Sequence, residues 1–82
     1  MTGTTYTNNH GCEVTAIQYL GDNLGDVLNF CRYASFIDNA TLYIKNPERT
    51  LKVNLYDYVV QGALGEYYPM NKEVFENKYK KL

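Results

Sequence analysis

The sequence predicts an α+β fold: a small antiparallel sheet of four to five strands, with one helix packed on a face and a short C-terminal helix. Three observations carry this expectation. Thr41–Lys45 and residues 51–55 each alternate apolar and polar side chains with period two, the pattern of half-buried strands. Leu24, Val27, Leu28 and Cys31 recur at i, i+3, i+4 and i+7, which puts them on one face of a helix. Tyr58–Gln61 and residues 66–68 flank a turn bracketed by Gly62 and Gly65.

Taken in order, residues 1–11 are Thr, Asn and Gly with one tyrosine and one histidine. They lack periodicity and apolar content, so they read as a loose N-terminal leader to a single α+β domain over 12–82. Residues 12–20 form the first strand candidate, ended by Gly21-Asp22-Asn23. The helix is expected over 23–33, with Asn23 as its cap and Asp26 favouring its positive start. Residues 33–39 read as a connection. Asn46-Pro47-Glu48-Arg49 places a proline at a turn position and makes the next two strands a hairpin. After the fourth strand, Pro69 is expected to stop the pairing. Asn71 then caps a helix over 72–77 that turns Val74 and Phe75 inward, with Tyr79 one turn on. The expected core is Leu24, Val27, Leu28, Cys31, Leu42, Ile44, Leu51, Val53, Leu55, Val59 and Phe75.

Composition excludes several functions. Eighty-two residues bury a small core, which points to help from a partner subunit and hence to a homodimer or higher homo-oligomer. A net charge of −1 argues against a general nucleic-acid binder, and nine Asp plus Glu are too few for a mimic of DNA. No apolar run is long enough for a membrane span, and the start has no basic segment leading an apolar one. The two cysteines, Cys12 and Cys31, therefore read as reduced thiols of a cytoplasmic protein.

No catalytic constellation is visible. The single histidine, His10, lies in the leader with only Cys12 near it, so neither a metal site nor a Cys-His or Ser-His-Asp arrangement is expected. Gly62 and Gly65 sit between strands, without the helix start of a phosphate loop, and no cofactor is implied. Asp57 and Glu66 could face each other across the second hairpin for acid/base work, but such carboxylates more commonly cap turns. A binding role is easier to build. Lys45, Arg49 and Lys52 cluster on the first hairpin, with Tyr43, Tyr56, Tyr58, Tyr67 and Tyr68 around them. Such a mixture clamps a phosphate and stacks a base, or rims a protein interface. The expected binding residues are Tyr58, Glu66, Tyr67, Tyr68, Arg49 and Lys52.

Several of these residues recur in one pattern: Ala16-Ile17-Gln18-Tyr19, Asn29-Phe30-Cys31, Asp57-Tyr58-Val59-Val60-Gln61-Gly62, Gly65-Glu66-Tyr67-Tyr68-Pro69, Phe75-Glu76 and Tyr79. In that order, from Val14 to Tyr79, the chain resembles a family of short accessory proteins of tailed phages and prophages. It departs from the family at Tyr56, where glycine is usual, at Met70, where cysteine is frequent, and in its Thr/Asn start. The resemblance implies a non-enzymatic protein in the host-cell cytoplasm that binds and inhibits a host bacterial protein, in the first instance a defence component. Its alternatives are an oligomeric sponge for a nucleotide-like signal molecule and a virion or assembly component.

Overall fold

The computed structural model describes residues 3–31, 34–37, 41–45 and 49–82, with the backbone alone at 35–37 and 41. It is an α+β fold with the order β1 (Thr4–Asn8), β2 (Glu13–Gln18), α1 (Leu24–Phe30), β3 (Ala34–Ile37), β4 (Thr41–Lys45), β5 (Thr50–Val53), β6 (Tyr58–Gln61), β7 (Tyr67–Met70), α2 (Lys72–Lys78) and β8 (Tyr79–Lys81). The strands make two sheets rather than the single one expected. The large sheet runs β7-β6-β2-β1-β8 and the small sheet β3-β4-β5, with every pairing antiparallel.

The large sheet is covered on both faces at its centre. Tyr19 and Val59, with Ile17 and Tyr67 packed beside them, meet Val27 and Cys31 of the α1 segment and Leu42, Ile44 and Val53 of the small sheet. On the opposite face Ala16, Tyr58 and Val60 meet Phe75 of α2, rimmed by Tyr6, Val14, Tyr68, Met70 and Tyr79. Successive strand residues point to opposite faces. Val59 and Val60 are both fully buried because each has its own core to enter.

The leader expected to be loose contains β1, which is paired on both sides, with Thr5 opposite Thr15 and Thr7 opposite Lys80. Its apolar content is low, but Thr and Tyr favour extended backbone and Tyr6 enters the second core. The β1–β2 and β6–β7 hairpins close alike. Asn8 N–H donates to Cys12 C=O and Gly11 N–H to Asn8 C=O, as Gly62 N–H does to Glu66 C=O and Gly65 N–H to Gly62 C=O. Gly11 (φ 78°) and Gly65 (φ 85°) take the left-handed position of this three-residue loop, which disfavours any Cβ.

Helix α1 spans Leu24–Phe30 rather than 23–33. Cys31 is already extended at φ −117°, ψ 102°, and positions 32 and 33 lie outside the described residues. Asn23 precedes the helix but makes no side-chain cap. Its Oδ1 accepts from Leu20 N–H at 2.8 Å and its Nδ2 donates to Gln18 C=O at 2.8 Å, so it ties the turn together instead. Phe30 takes the place expected of Leu28, packing against the core while Leu28 stays on the outer side. Residues 33–39, expected to be a connection, contain β3. The Pro47 turn lies outside the described residues.

Pro69 does not stop the pairing, since it lies opposite Val59 inside β7. Gly62 donates to Glu66 directly opposite, so the next residues alternate and the Val59–Pro69 pair falls where no ladder bond is made. On this edge strand the missing N–H therefore costs nothing. Asn71 caps α2 as expected, its Oδ1 accepting from Glu73 N–H at 2.9 Å and Val74 N–H at 3.4 Å. Tyr79 leaves the helix to open β8 opposite Asn8.

Leu55, expected in the core, is exposed because its strand has already ended at a type II turn. Asp57 N–H donates to Asn54 C=O at 3.0 Å, and Tyr56 at the third position holds φ 72°. Three bonds hold this conformation to the end of β2 and its continuation. Tyr56 N–H donates to Tyr19 C=O, Tyr19 N–H to Asp57 C=O, and Gln18 Nε2 to Tyr56 C=O. A side chain in the left-handed region costs roughly 1–2 kcal/mol, part of which glycine returns as unfolded-chain entropy. Tyr56→Gly is expected to raise stability by up to about 1 kcal/mol, read as a higher urea midpoint with an unchanged slope.

Candidate binding surfaces

The expected aromatic surface is divided by the sheet that carries it. Tyr67 and Tyr68 are consecutive in β7 and therefore face opposite ways. Tyr67 packs towards α1, its ring edge-on to Phe30 at 5.6 Å, while Tyr68 joins the second core. Tyr58 is buried in that second core, stacked on Phe75 at 4.1 Å. Glu66 is exposed, and its Oε1 accepts from Leu64 N–H at 3.0 Å, which fixes its own turn. Asp57 does the same at the β5–β6 turn, its Oδ2 accepting from Asn54 N–H at 3.0 Å. The two carboxylates are each committed locally, so the facing pair does not form.

Around Phe75 the rings form one aromatic cluster. Tyr6 meets Phe75 edge-on at 4.9 Å and Tyr58 edge-on at 6.0 Å, and Tyr79 stacks on Phe75 at 5.0 Å. Tyr58 Oη donates to Glu76 Oε2 at 2.8 Å, and Glu76 Oε1 pairs with Lys72 Nζ at 3.1 Å. Burial, then the hydrogen bond to Glu76 and its charge, push the Tyr58 phenol well above its ordinary value. Burial likewise raises Tyr6 and Tyr68, so these phenols stay protonated at neutral pH. The Tyr58 hydroxyl, then Lys72, hold the Glu76 carboxyl below the usual range.

Arg49 and Lys52, the other expected binding residues, lie apart from this cluster, in and just before β5. The register of the small sheet puts Tyr43 directly opposite Lys52, and Lys45 opposite Thr50. Leu42, Ile44 and Val53 point into the core. By alternation Tyr43, Lys45, Thr50 and Lys52 share the outer face. Lys45, Thr50 and Lys52 are exposed there and Tyr43 is half-buried, while Arg49, also exposed, precedes β5. Among the described residues of the small sheet and Arg49, three cations occur and no carboxylate; Asp38 and Glu48 lie outside the described residues. Among the described residues no ring packs on Tyr43.

Two further surfaces were missed in the sequence. Leu20, Leu55 and Tyr56 are 46, 52 and 51% exposed. They come together because the β5–β6 turn is latched onto the end of the β2 segment, and a Cβ on Gly21 would lie 3.1 Å from Leu55 Cδ1. The signal was Leu55 after Asn54, an apolar residue two positions past the end of its strand. A shallow depression of about 470 Å³ lies between the β1–β2 turn and α2, lined by Asn8, Asn9, His10, Val74, Asn77 and Lys78. It opens at the C-terminal end of α2, where helix carbonyls oppose an anion. No group of three or more His, Cys, Asp or Glu that could hold a metal occurs among the described residues, and neither Cys12 nor Cys31 is in a disulfide. Among the described residues no helix is long and apolar enough to cross a membrane.

Compared with known proteins, the chain matches no family model, no curated protein and no solved structure.

The Tyr58–Glu76 bond gives a pH signature. Glu76 titrates lower in the folded chain than in the unfolded one. Its contribution is therefore complete above the ordinary carboxylate range and is lost as pH falls through the folded value. Tyr58→Phe is expected to be less stable than the parent at pH 7, with the gap closing on acidification. Urea midpoints of the two proteins across the acid range check this.

Proposed function

We propose that this chain is a small, non-catalytic binding module that captures an anionic partner on the outer face of the β3-β4-β5 sheet. One observation carries the reading: Tyr43 stands beside Lys52 across the strands and Lys45 along its own, on a face whose described residues include no carboxylate. Clustered cations on a chain of net charge −1 give a local positive field without making the whole protein basic. The resemblance to phage and prophage accessory proteins supplies the setting, the cytoplasm of a bacterial host. There, such a module would sequester a nucleotide-like signal molecule. Charge reversal by the pair Lys45→Glu and Lys52→Glu is expected to leave the fold intact, because both side chains are exposed, and to abolish any ligand-dependent rise in melting temperature. A panel of nucleotides and inorganic phosphates at low and high salt tests this; no rise with any of them contradicts the reading.

The other form of binding is inhibition of a host factor, first among them a defence protein, and the Leu20–Leu55–Tyr56 patch favours it. Exposed apolar area next to an aromatic ring suits a protein interface. The patch also offers a route to the homodimer expected from the small core. This replaces the interface first expected around Tyr58, Glu66, Tyr67 and Tyr68, whose tyrosines fall on two faces. On this second reading Leu55→Lys abolishes co-purification of a host polypeptide or shifts the oligomer to monomer, whereas the Lys45/Lys52 reversal does neither. Partner binding unchanged in Leu55→Lys excludes the patch.

A further inference from the structure

We infer that the open end of the large sheet, on the face that carries α1, is the contact between two copies of this chain. A two-fold axis along β1 joins them and sets Lys80 of each copy on Glu13 of the other.

The face follows from register and alternation. Tyr6, Val14 and Tyr79 pack into the second core, so their strand neighbours Thr5, Thr7, Glu13, Thr15 and Lys80 point the other way. Phe30 lies over Gly3 beside Thr15, since a Cβ on Gly3 would meet its ring at 2.6 Å and Thr15 Cγ2 at 3.0 Å. The rest of this end is open. Thr5, Glu13 and Lys80 are exposed, and Thr7 and Thr15 are half-buried. One row of the ladder crosses three strands as Lys80, Thr7 and Glu13. In the next row Thr5 stands opposite Thr15, and Leu82 N–H donates to Thr5 C=O. Every position in these rows is among the described residues.

The two charges of the first row are unmatched inside the chain. They flank Thr7, one strand spacing to either side, and so lie about 10 Å apart. Neither has an ion pair or a side-chain hydrogen bond among the described residues. Seen from β1, the row is positive on one side and negative on the other. Two such faces, brought together about an axis along β1, lay β8 of one copy over β2 of the other. Lys80 then meets the partner's Glu13 at both ends, and Thr7 meets the partner's Thr7. Continuing the alternation, Leu82 shares the face of Lys80, and this exposed side chain meets the methyl group of the partner's Thr15. An axis across the strands would instead set lysine on lysine and glutamate on glutamate. The order of charges therefore selects one isologous arrangement.

Both edges of the same sheet resist strand addition. Strand β8 is three residues long with two lysines, and β7 turns outward at Pro69, which has no N–H to give. The Leu20–Leu55–Tyr56 patch lies at the opposite end of β2 from Glu13, so this contact leaves it free for a different protein.

Sedimentation equilibrium of the full chain at low salt, up to about 1 mM protein, tests the contact. The parent is expected to dimerise, and the dimer to weaken as salt rises. Glu13→Lys and Lys80→Glu each put like charges at both ends of the contact. Each alone is expected to be monomeric, with the parent's urea midpoint, because both side chains are exposed. Mixed in equal amounts, the two variants are expected to form the heterodimer, since each lysine of one then meets a glutamate of the other. Lys80→Gln removes the charge without reversing it and is expected to weaken the dimer roughly two- to tenfold, which keeps the test decisive where a reversed variant does not fold. Leu55→Lys is expected to leave the dimer intact. A parent that stays monomeric overturns the inference, as does a dimer that survives either reversal or is unmoved by Lys80→Gln. Folded variants that remain monomeric when mixed overturn the pairing of Lys80 with Glu13. A dimer that Leu55→Lys abolishes moves the interface to the apolar patch and overturns this one.

Discussion

Burial of β6 on both faces is the constraint on which the rest of the structure depends. Val59 and Val60 are consecutive and both fully buried, so two separate apolar layers must cover the large sheet. Helix α1 and the small sheet supply one layer, and α2 supplies the other. This requirement decides which tyrosines are available. Tyr58 is taken into the second layer, Tyr19 into the first, and Tyr67 and Tyr68 divide between them. The small sheet has no second covering layer among the described residues, and its outer face is where exposed lysines stand beside a half-buried tyrosine. The proposed binding face is therefore the one that the core does not consume.

The connections serve the same end. The β5–β6 turn holds Tyr56 in a left-handed conformation while three hydrogen bonds tie Tyr56 and Asp57 to residues 18 and 19. That latch passes the chain from the small sheet into the large one over the four residues Asn54-Leu55-Tyr56-Asp57. Leu55 and Tyr56 are driven outward as a consequence, which creates the apolar patch next to Leu20. Asn23 and Asp57 spend their side chains on turns, and Glu66 does likewise. The polar residues that look most chemical in the sequence are thus occupied in positioning backbone.

Much of the fold was legible because its strongest patterns are periodic. The alternation of Leu42 and Ile44 with Tyr43 and Lys45, the 24–31 stripe and the Gly65 turn each describe an element that is present. Strand β1 was hidden because Thr4, Thr5 and Thr7 carry strand preference without apolar burial, and only Tyr6 of that strand packs in a core. The Asn8-Asn9-His10-Gly11 run was nevertheless a turn signal of the same kind as the one at Gly65. The candidate site was legible in part. Arg49, Lys52 and their neighbours Tyr43 and Lys45 could be grouped from the hairpin alone. The Tyr67–Tyr68 surface failed on a rule already visible in the sequence, since consecutive strand residues cannot share a face. Tyr58 failed for a different reason: a phenol is amphipathic, and nothing local announced that Phe75 would stack on it and Glu76 accept its hydroxyl.

The central claim is that the outer face of the small sheet is the binding surface. Its most direct test is an amide ¹H–¹⁵N correlation spectrum of the labelled protein, followed through a titration with ATP at low salt. The account requires the largest shifts at Tyr43, Lys45, Thr50 and Lys52, with Tyr58, Tyr68 and α2 unmoved. Shifts centred on α2 and the Tyr6–Tyr58–Tyr79 cluster, or none at any residue, would contradict it.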